Sequence, residues 1–269
     1  MTDLPNVSAL DLQLQNGWLT IWFDQPESRN ALTKQLTGDL IATLEHVRDD
    51  RDVRGITLRG KGGTFCAGGD LKSFNSGQQS GQSAEEVIQG SKDGAYMFDL
   101  VNTMPQVVVV IIEGAAMAGG FGMACCADVI ICDAAARFAM TETAIGLTPA
   151  QISPFVTQKL GYATARRLML TAARFNGAES YRLGFADFIG HGVEELEAHE
   201  YKIRKQVLAC APGAVADIKS LILATPNLSR EDVVQAAAEN FARRMLSEEG
   251  KEGVASFVEK RPPNWVIKP

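Results

Sequence analysis

The chain has 269 residues, 46% of them hydrophobic and 22% charged, with a formal net charge of −6. That length supplies one large core with room for an appendage, and the composition excludes a disordered or fibrous chain. The negative charge opposes a phosphodiester backbone and an anionic lipid surface, so neither nucleic acid nor membrane is an expected partner.

Leu10, Leu12 and Leu14 alternate, Asn16-Gly17 follows, and a second β-rich run completes the pattern of a hairpin. After a loop at DQPESRNAL, the residues Leu36, Leu40, Leu44 and Val47 recur at helical spacing, and VRGITLRG reads as a strand returning to the sheet. GKGGTFCAGGDLK, residues 60–72, is then a glycine-rich turn after a strand, and the polar stretch SGQQSGQSAEE is expected to be a mobile surface loop. A helix over Ala95 to Met104 leads into the strand VVVVII.

The run VVVVIIEGAAMAGGFGMACCADVIIC is as apolar as a membrane span. Glu113 and Asp128 interrupt it, and its glycine clusters favour a buried strand, turn and short helix. Strand, glycine turn and short helix repeat through EGAAMAGGFGMACCAD, VIIC and ARFAM, which places two similar glycine turns after two strands of one sheet. Beyond Thr141 the pattern turns helical through ARRLMLTA and AESYRLGF, and from Glu194 it is nearly all helix, broken at ATPN and EEGKEG. The expected division is a core over 1–199 and a helical C-terminal subdomain over 200–269, of the kind that often packs on a neighbouring subunit. Pro262-Pro263 ends the last helix, and Trp265 is a candidate interface anchor.

A glycine turn at a strand end lets the backbone approach a ligand and aim N–H groups at it, and a following helix adds a positive dipole end. Two such turns converging on one oxygen would form an oxyanion hole, although tight packing explains glycines equally well. TFCAGGDLK, GAAMAGGFGMACCAD and ARFAMTETAIGLTPAQISPFVTQKLG resemble, in order and spacing, successive motifs of the crotonase, or enoyl-CoA hydratase/isomerase, superfamily. The resemblance runs collinearly from the N-terminal hairpin through RNAL to the helical end.

The resemblance implies an α/β fold: a spiral of ββα units with a helical trimerisation region, assembled as a homotrimer or dimer of trimers. The implied partner is an acyl-CoA thioester, with coenzyme A as part of the substrate and no separate cofactor. By motif position, the thioester oxygen would accept hydrogen bonds from the Gly69 and Gly119 amides. The segments ESRNAL and FCAGGDLK would hold the adenine and phosphates, through Arg29, Ala31, Ala67 and Lys72; Arg29 and Lys72 also fit a reading as solvated surface charges.

Family hydratases carry one glutamate in the helix after the second glycine turn and another about twenty residues on. Here the first position is Gly122 and the second is Glu142. Glu142 is the implied acid and base, and first-turn helix stabilisation is the plainer alternative. One carboxylate serves hydration or double-bond isomerisation. The pairing of GGFG with TETAIGLTPAQISPFV resembles the branch that hydrates 3-branched glutaconyl-CoA thioesters. Small residues at Ala116, Ala118 and Gly122 favour the isohexenyl over the methyl branch by leaving room. A non-catalytic binder of acyl-CoA or RNA is the alternative of a different class, and the net charge of −6 speaks against RNA.

Gln151 and Ser153 are candidates to bind a distal carboxylate, or to cap a helix. Arg166, Arg167 and Arg174 fit the same carboxylate or a helix surface. His46, His191 and His199 stand apart from any nucleophile, Cys66 reads as a packing residue, and Asp70 as a turn-fixing one. The five cysteines are odd in number and share no ligand-like spacing with the histidines, and MTDLPNVSALD lacks a basic and then apolar leader. A reduced, cytoplasmic chain without a metal is expected.

Overall fold

A computed structural model describes residues 3–269. Strands β1 (Leu10–Gln15) and β2 (Trp18–Phe23) form the expected antiparallel hairpin, with Asn16 and Gly17 at φ 50° and 74°. Two successive left-handed residues match the right-handed twist of the strands, which is why Asn-Gly suits this turn. Helix α1 (Lys34–Val47) starts at Thr33, whose side chain accepts from Leu36 N, and buries Leu36, Leu40, Leu44 and Val47. β3 (Gly55–Gly60) then adds parallel to β2. At Gly55 an added Cβ would lie 2.3 Å from the Trp18 ring, so the glycine lets that indole lie flat across the strand.

The polar stretch expected to be a loop is mostly helical. α2 (Leu71–Gln79) is capped by Asp70, whose carboxylate accepts from Lys72 N and Ser73 N. α3 (Ala84–Thr103) starts eleven residues before the expected Ala95, because Ser83 and Glu86 form a reciprocal capping box. The composition is polar because α2 buries no residue and α3 buries only Met97, Phe98, Leu100 and Val101; local capping supplies the order.

The long apolar run resolves into β4 (Val107–Ile112), β5 (Ala115–Met117), α4 (Gly119–Cys125) and β6 (Val129–Asp133). β7 (Arg137–Ala139), α5 (Ser153–Thr171, kinked at Gly161), β8 (Arg174–Asn176), α6 (Gly177–Arg182) and β9 (Phe188–Gly190) follow. The large sheet has the order β1-β2-β3-β4-β6-β9, and a second sheet has the order β5-β7-β8. The second glycine turn therefore follows β5 in the smaller sheet, whereas the first follows β3 in the larger. An isolated parallel bridge between Cys66 and Ala116 joins the two regions.

α7 (Val193–Leu208) runs across residue 200, and its Leu196 and Leu208 pack with Trp18, Val109, Ile111 and Ile131 on the face of the large sheet opposite α1. The helical end beyond this layer is α8 (Pro212–Ala224), α9 (Arg230–Met245) and α10 (Glu248–Glu259). ATPN is a break, formed by a 3₁₀ turn over Thr225–Asn227. EEGKEG is not: it opens α10 behind a Ser247 cap, and a Cβ on Gly250 would meet Arg244 O at 2.1 Å. That glycine permits close packing of two helices. Buried Lys219 docks α8 on the core through Asp128 at 2.6 Å and the Gln106 carbonyl at 3.2 Å. Trp265 is held within the chain, its indole donating to Ala209 O and its carbonyl accepting from Arg54.

Candidate active site

The two glycine turns meet. A Cβ on Gly68 would lie 2.7 Å from Ala118 Cβ, 2.8 Å from Met117 O and 3.4 Å from Gly119 N. Gly68 has φ +94°, a conformation that side chains disfavour, and its carbonyl accepts from Leu32 N. A Cβ on Gly119 would lie 3.8 Å from Gly69 N, and one on Gly120 would meet Cys66 O at 2.6 Å. Both glycine pairs thus serve packing and also bring two backbone amides together.

Those amides are the available donors. Gly119 opens α4, so its N–H has no intrahelical acceptor, and neither Gly69 N nor Gly119 N has a hydrogen-bond partner among the described residues. Ala118 turns the chain into this position at φ 50°, ψ −123°, an uncommon conformation for alanine, pinned by Ala118 N donating to Ala139 O at 2.8 Å. The sequence pointed to Ala118 only as a small residue leaving room for a branch, since nothing in alanine signals such a backbone.

Glu142 reaches the same edge through the small sheet. β5 and β7 run parallel with Met117 opposite Ala139, so the residues after both strands leave from one end. Glu142 opens a 3₁₀ turn, Glu142–Ile145, one short step past β7. Its Oε2 is buried with no hydrogen-bond partner, and burial pushes its carboxyl above the ordinary range. A half-buried carboxylate kept short of partners at a strand end is poised to exchange protons.

The enoyl-CoA hydratase/isomerase family model matches residues 13–268. The chain belongs to the enoyl-CoA hydratase/isomerase family. Among solved structures, AtuE of Pseudomonas aeruginosa is 40% identical with a TM-score of 0.93, covering 96% of this chain and 100% of that one. An enoyl-CoA hydratase/isomerase from Marinobacter aquaeolei is 35% identical with a TM-score of 0.91, covering 96% and 99%. The carnitinyl-CoA dehydratase of Proteus mirabilis is 30% identical over 96% of this chain and 98% of its own. The fold is accordingly the crotonase fold, and the chain is an enzyme of the enoyl-CoA hydratase type.

In this enoyl-CoA hydratase/isomerase family member, the segments expected to hold coenzyme A lie side by side. Ala67 N donates to Arg29 O at 3.0 Å, Ala31 N donates to Ser28 O, and Leu32 pairs with Gly69 across a parallel bridge. Arg29 and Lys72 are exposed and neither is in an ion pair among the described residues. The loop rests on buried Asn30, which the sequence reading passed over. At φ 54°, its Oδ1 accepts from Gln25 N, and its Nδ2 donates to Lys61 O at 2.9 Å and Thr64 O at 2.7 Å. Asparagine tolerates this left-handed backbone, which was the available signal. Asn30→Ala is expected to cost about 2–4 kcal/mol in urea unfolding and to raise KM for the thioester more than it lowers kcat.

Gly122 gives no free space. A Cβ there would lie 2.1 Å from Ile152 Cγ2, because buried Ile152 fills the volume that the sequence reading left open for a branch. Capping also fails as an account of Gln151 and Ser153: the N-cap of α5 is Ile152, with no side-chain hydrogen bond. Gln151 Nε2 instead donates to Ser91 Oγ at 3.0 Å, and Ser153 Oγ donates to Ala150 O. Arg166, Arg167 and Arg174 are exposed, as are His46 and His191, and His199 stacks on Phe188. Burial pushes the Cys66 thiol up to about 12, which leaves it unreactive at neutral pH.

Proposed function

We propose that this enzyme adds water across the C2–C3 double bond of a 3-branched glutaconyl-CoA, with isohexenylglutaconyl-CoA favoured over methylglutaconyl-CoA. The observation that carries the hydratase chemistry is the unpartnered, buried Glu142 carboxylate oxygen just past β7, the strand paired with the β5 that leads to the Gly119 amide. Glu142 takes a proton from water as oxygen bonds to C3. The electron pair of the double bond moves onto the thioester oxygen, where the two N–H groups stabilise the enolate. C2 then takes the proton back from Glu142, so water is added and the carboxylate is restored. Coenzyme A is part of the substrate, and the reaction as written uses no metal or further cofactor.

The substrate preference is supported by apolar surface near the site. Phe74, 52% exposed, has its ring 3.1 Å from the Cβ position of Gly69, and Leu71, Val87 and Ile88 are exposed on the same pair of helices. Ile145 and Leu147 are exposed just past Glu142. This surface supports a long prenyl arm directed toward α2 and α3; Gly122 does not. Arg29, Ala31, Ala67 and Lys72 are the proposed coenzyme A contacts, and Gln151 is the proposed partner of the distal carboxylate. A cytoplasmic homotrimer or dimer of trimers completes the reading, with exposed Phe241 on α9, Leu246 just past it, and Phe257 and Val258 on α10 as the apolar surface available for assembly.

The test is a panel of enoyl-CoA thioesters, followed by loss of the conjugated double bond and by water uptake. Preference for the branched glutaconyl thioesters by at least tenfold in kcat/KM is expected. Migration of a 3-enoyl double bond without water uptake would establish an isomerase instead, and binding without turnover a non-catalytic protein.

A further inference from the structure

Residues three apart on a helix share a face, so position 122 continues the face of α4 that begins at Gly119. Ile152 lies flat on that face, with Cγ2 and Cβ at 2.1 and 2.3 Å from where a Cβ on Gly122 would stand. Its own exposure is 3%. It is held by its neighbours: Gln151 is bonded to Ser91 on α3, and Val156 N donates to Ile152 O. Phe155, on the same turn of α5, packs against Phe98 with ring centroids 6.2 Å apart. Phe98 Cζ in turn is 3.8 Å from the Cβ position of Gly119. Phe98 and Ile152 therefore flank the same glycine face.

The β-carbon of a thioester bound at Gly119 lies two bonds beyond the carbonyl carbon. With bonds near 1.5 Å, that is within about 4 Å of the carbonyl oxygen. One helical turn advances about 5.4 Å, so the β-carbon lies within reach of the next turn of α4, where Ile152 covers Gly122. A β-carbon bearing two arms has only one side open toward α2 and α3. Its other side is bounded by an isoleucine whose place is enforced by the glycine beneath it.

We propose that Ile152 is a specificity-determining residue: it takes the space left by the glycine at 122 and restricts the second arm on the β-carbon to a short one. This rests on the hydratase reading above. The class of substrate it selects is a β,β-disubstituted enoyl thioester with one extended apolar arm and one arm no longer than carboxymethyl. The Gly122–Ile152 contact also accounts for an isoleucine at a helix N-cap, a position that polar residues otherwise favour.

The experiment compares wild type, Ile152→Val and Ile152→Ala on thioesters that share the isohexenyl arm and carry carboxymethyl, 2-carboxyethyl or 3-carboxypropyl as the second arm. The carboxypropyl-to-carboxymethyl ratio of kcat/KM should rise at least tenfold in Ile152→Ala and by a smaller factor in Ile152→Val, since two methylenes in an apolar pocket discriminate by that order. Dissociation constants of the saturated analogues, measured by calorimetry, should move in the same direction. Gly122→Ala should lower the unfolding midpoint, and Gly122→Ala with Ile152→Ala should recover it, which separates packing from selection. An unchanged carboxypropyl-to-carboxymethyl ratio, with all three thioesters falling together, would overturn the proposal. Wild type that turns over none of them would overturn the hydratase reading, while the binding ratios would still decide the role of Ile152.

Discussion

Glu142→Gln is expected to lower kcat by about a thousandfold while leaving the affinity for a saturated acyl-CoA within a few-fold, because a general acid and base acts in the transition state. Burial raises the carboxyl above its ordinary range. Activity that needs the carboxylate should therefore rise with pH through that elevated value in the wild type. The stability effect has the opposite sign. Below the unfolded-state value both states hold the proton and burial carries no charge penalty. As pH rises through the elevated folded value, the folded state must carry a half-desolvated charge and loses stability. Glu142→Gln removes that charge, so its midpoint should exceed that of wild type at pH 8 by a few degrees, on the order of 1 kcal/mol, with the gain shrinking in acid. Steady-state rates and thermal unfolding over the same pH range check both signs. A variant that kept kcat within tenfold would remove Glu142 from the chemistry.

The same residue shows how much was legible beforehand. Alternation and Asn16-Gly17 specified the hairpin, and helical spacing specified α1, because both depend on side chains near in sequence. Motif order pointed to Gly69, Gly119 and Glu142, and the structure brings the first two together at the mouth of α4, with Glu142 leaving the neighbouring strand. What escaped was long-range. Nothing within AMAGGFGMACCAD announces that Ile152 will lie on Gly122, or that β5 leaves the large sheet. Composition misled at 76–86, where serine, glutamine and glycine read as a loop although a capping box and a helical stem order the segment. Solvated helices and loops share a composition, and only the caps distinguish them.

The strongest test of the paired amides is a change that fills the gap between them without unfolding the turn. Gly119→Ala does this. Its methyl would stand 3.8 Å from Gly69 N, inside the space that a thioester oxygen must enter to meet both donors. Its hardest contact is 2.9 Å with Leu32 Cδ1, the movable end of a side chain. Gly119 also has a helical backbone, so alanine brings no conformational penalty there. The expected result is a fall in kcat/KM of about a hundredfold, the scale of losing one oxyanion donor, with an unfolding midpoint within a few degrees of wild type. Gly68→Ala is the contrasting control. It must hold φ near +94° and would press a methyl to 2.7 Å from Ala118 Cβ and 2.8 Å from the fixed Met117 carbonyl, so it should lose soluble, folded protein instead of only activity. If Gly119→Ala kept both its fold and its full rate, the amides of residues 69 and 119 would not share an oxygen, and the glycines of both turns would be there for packing alone.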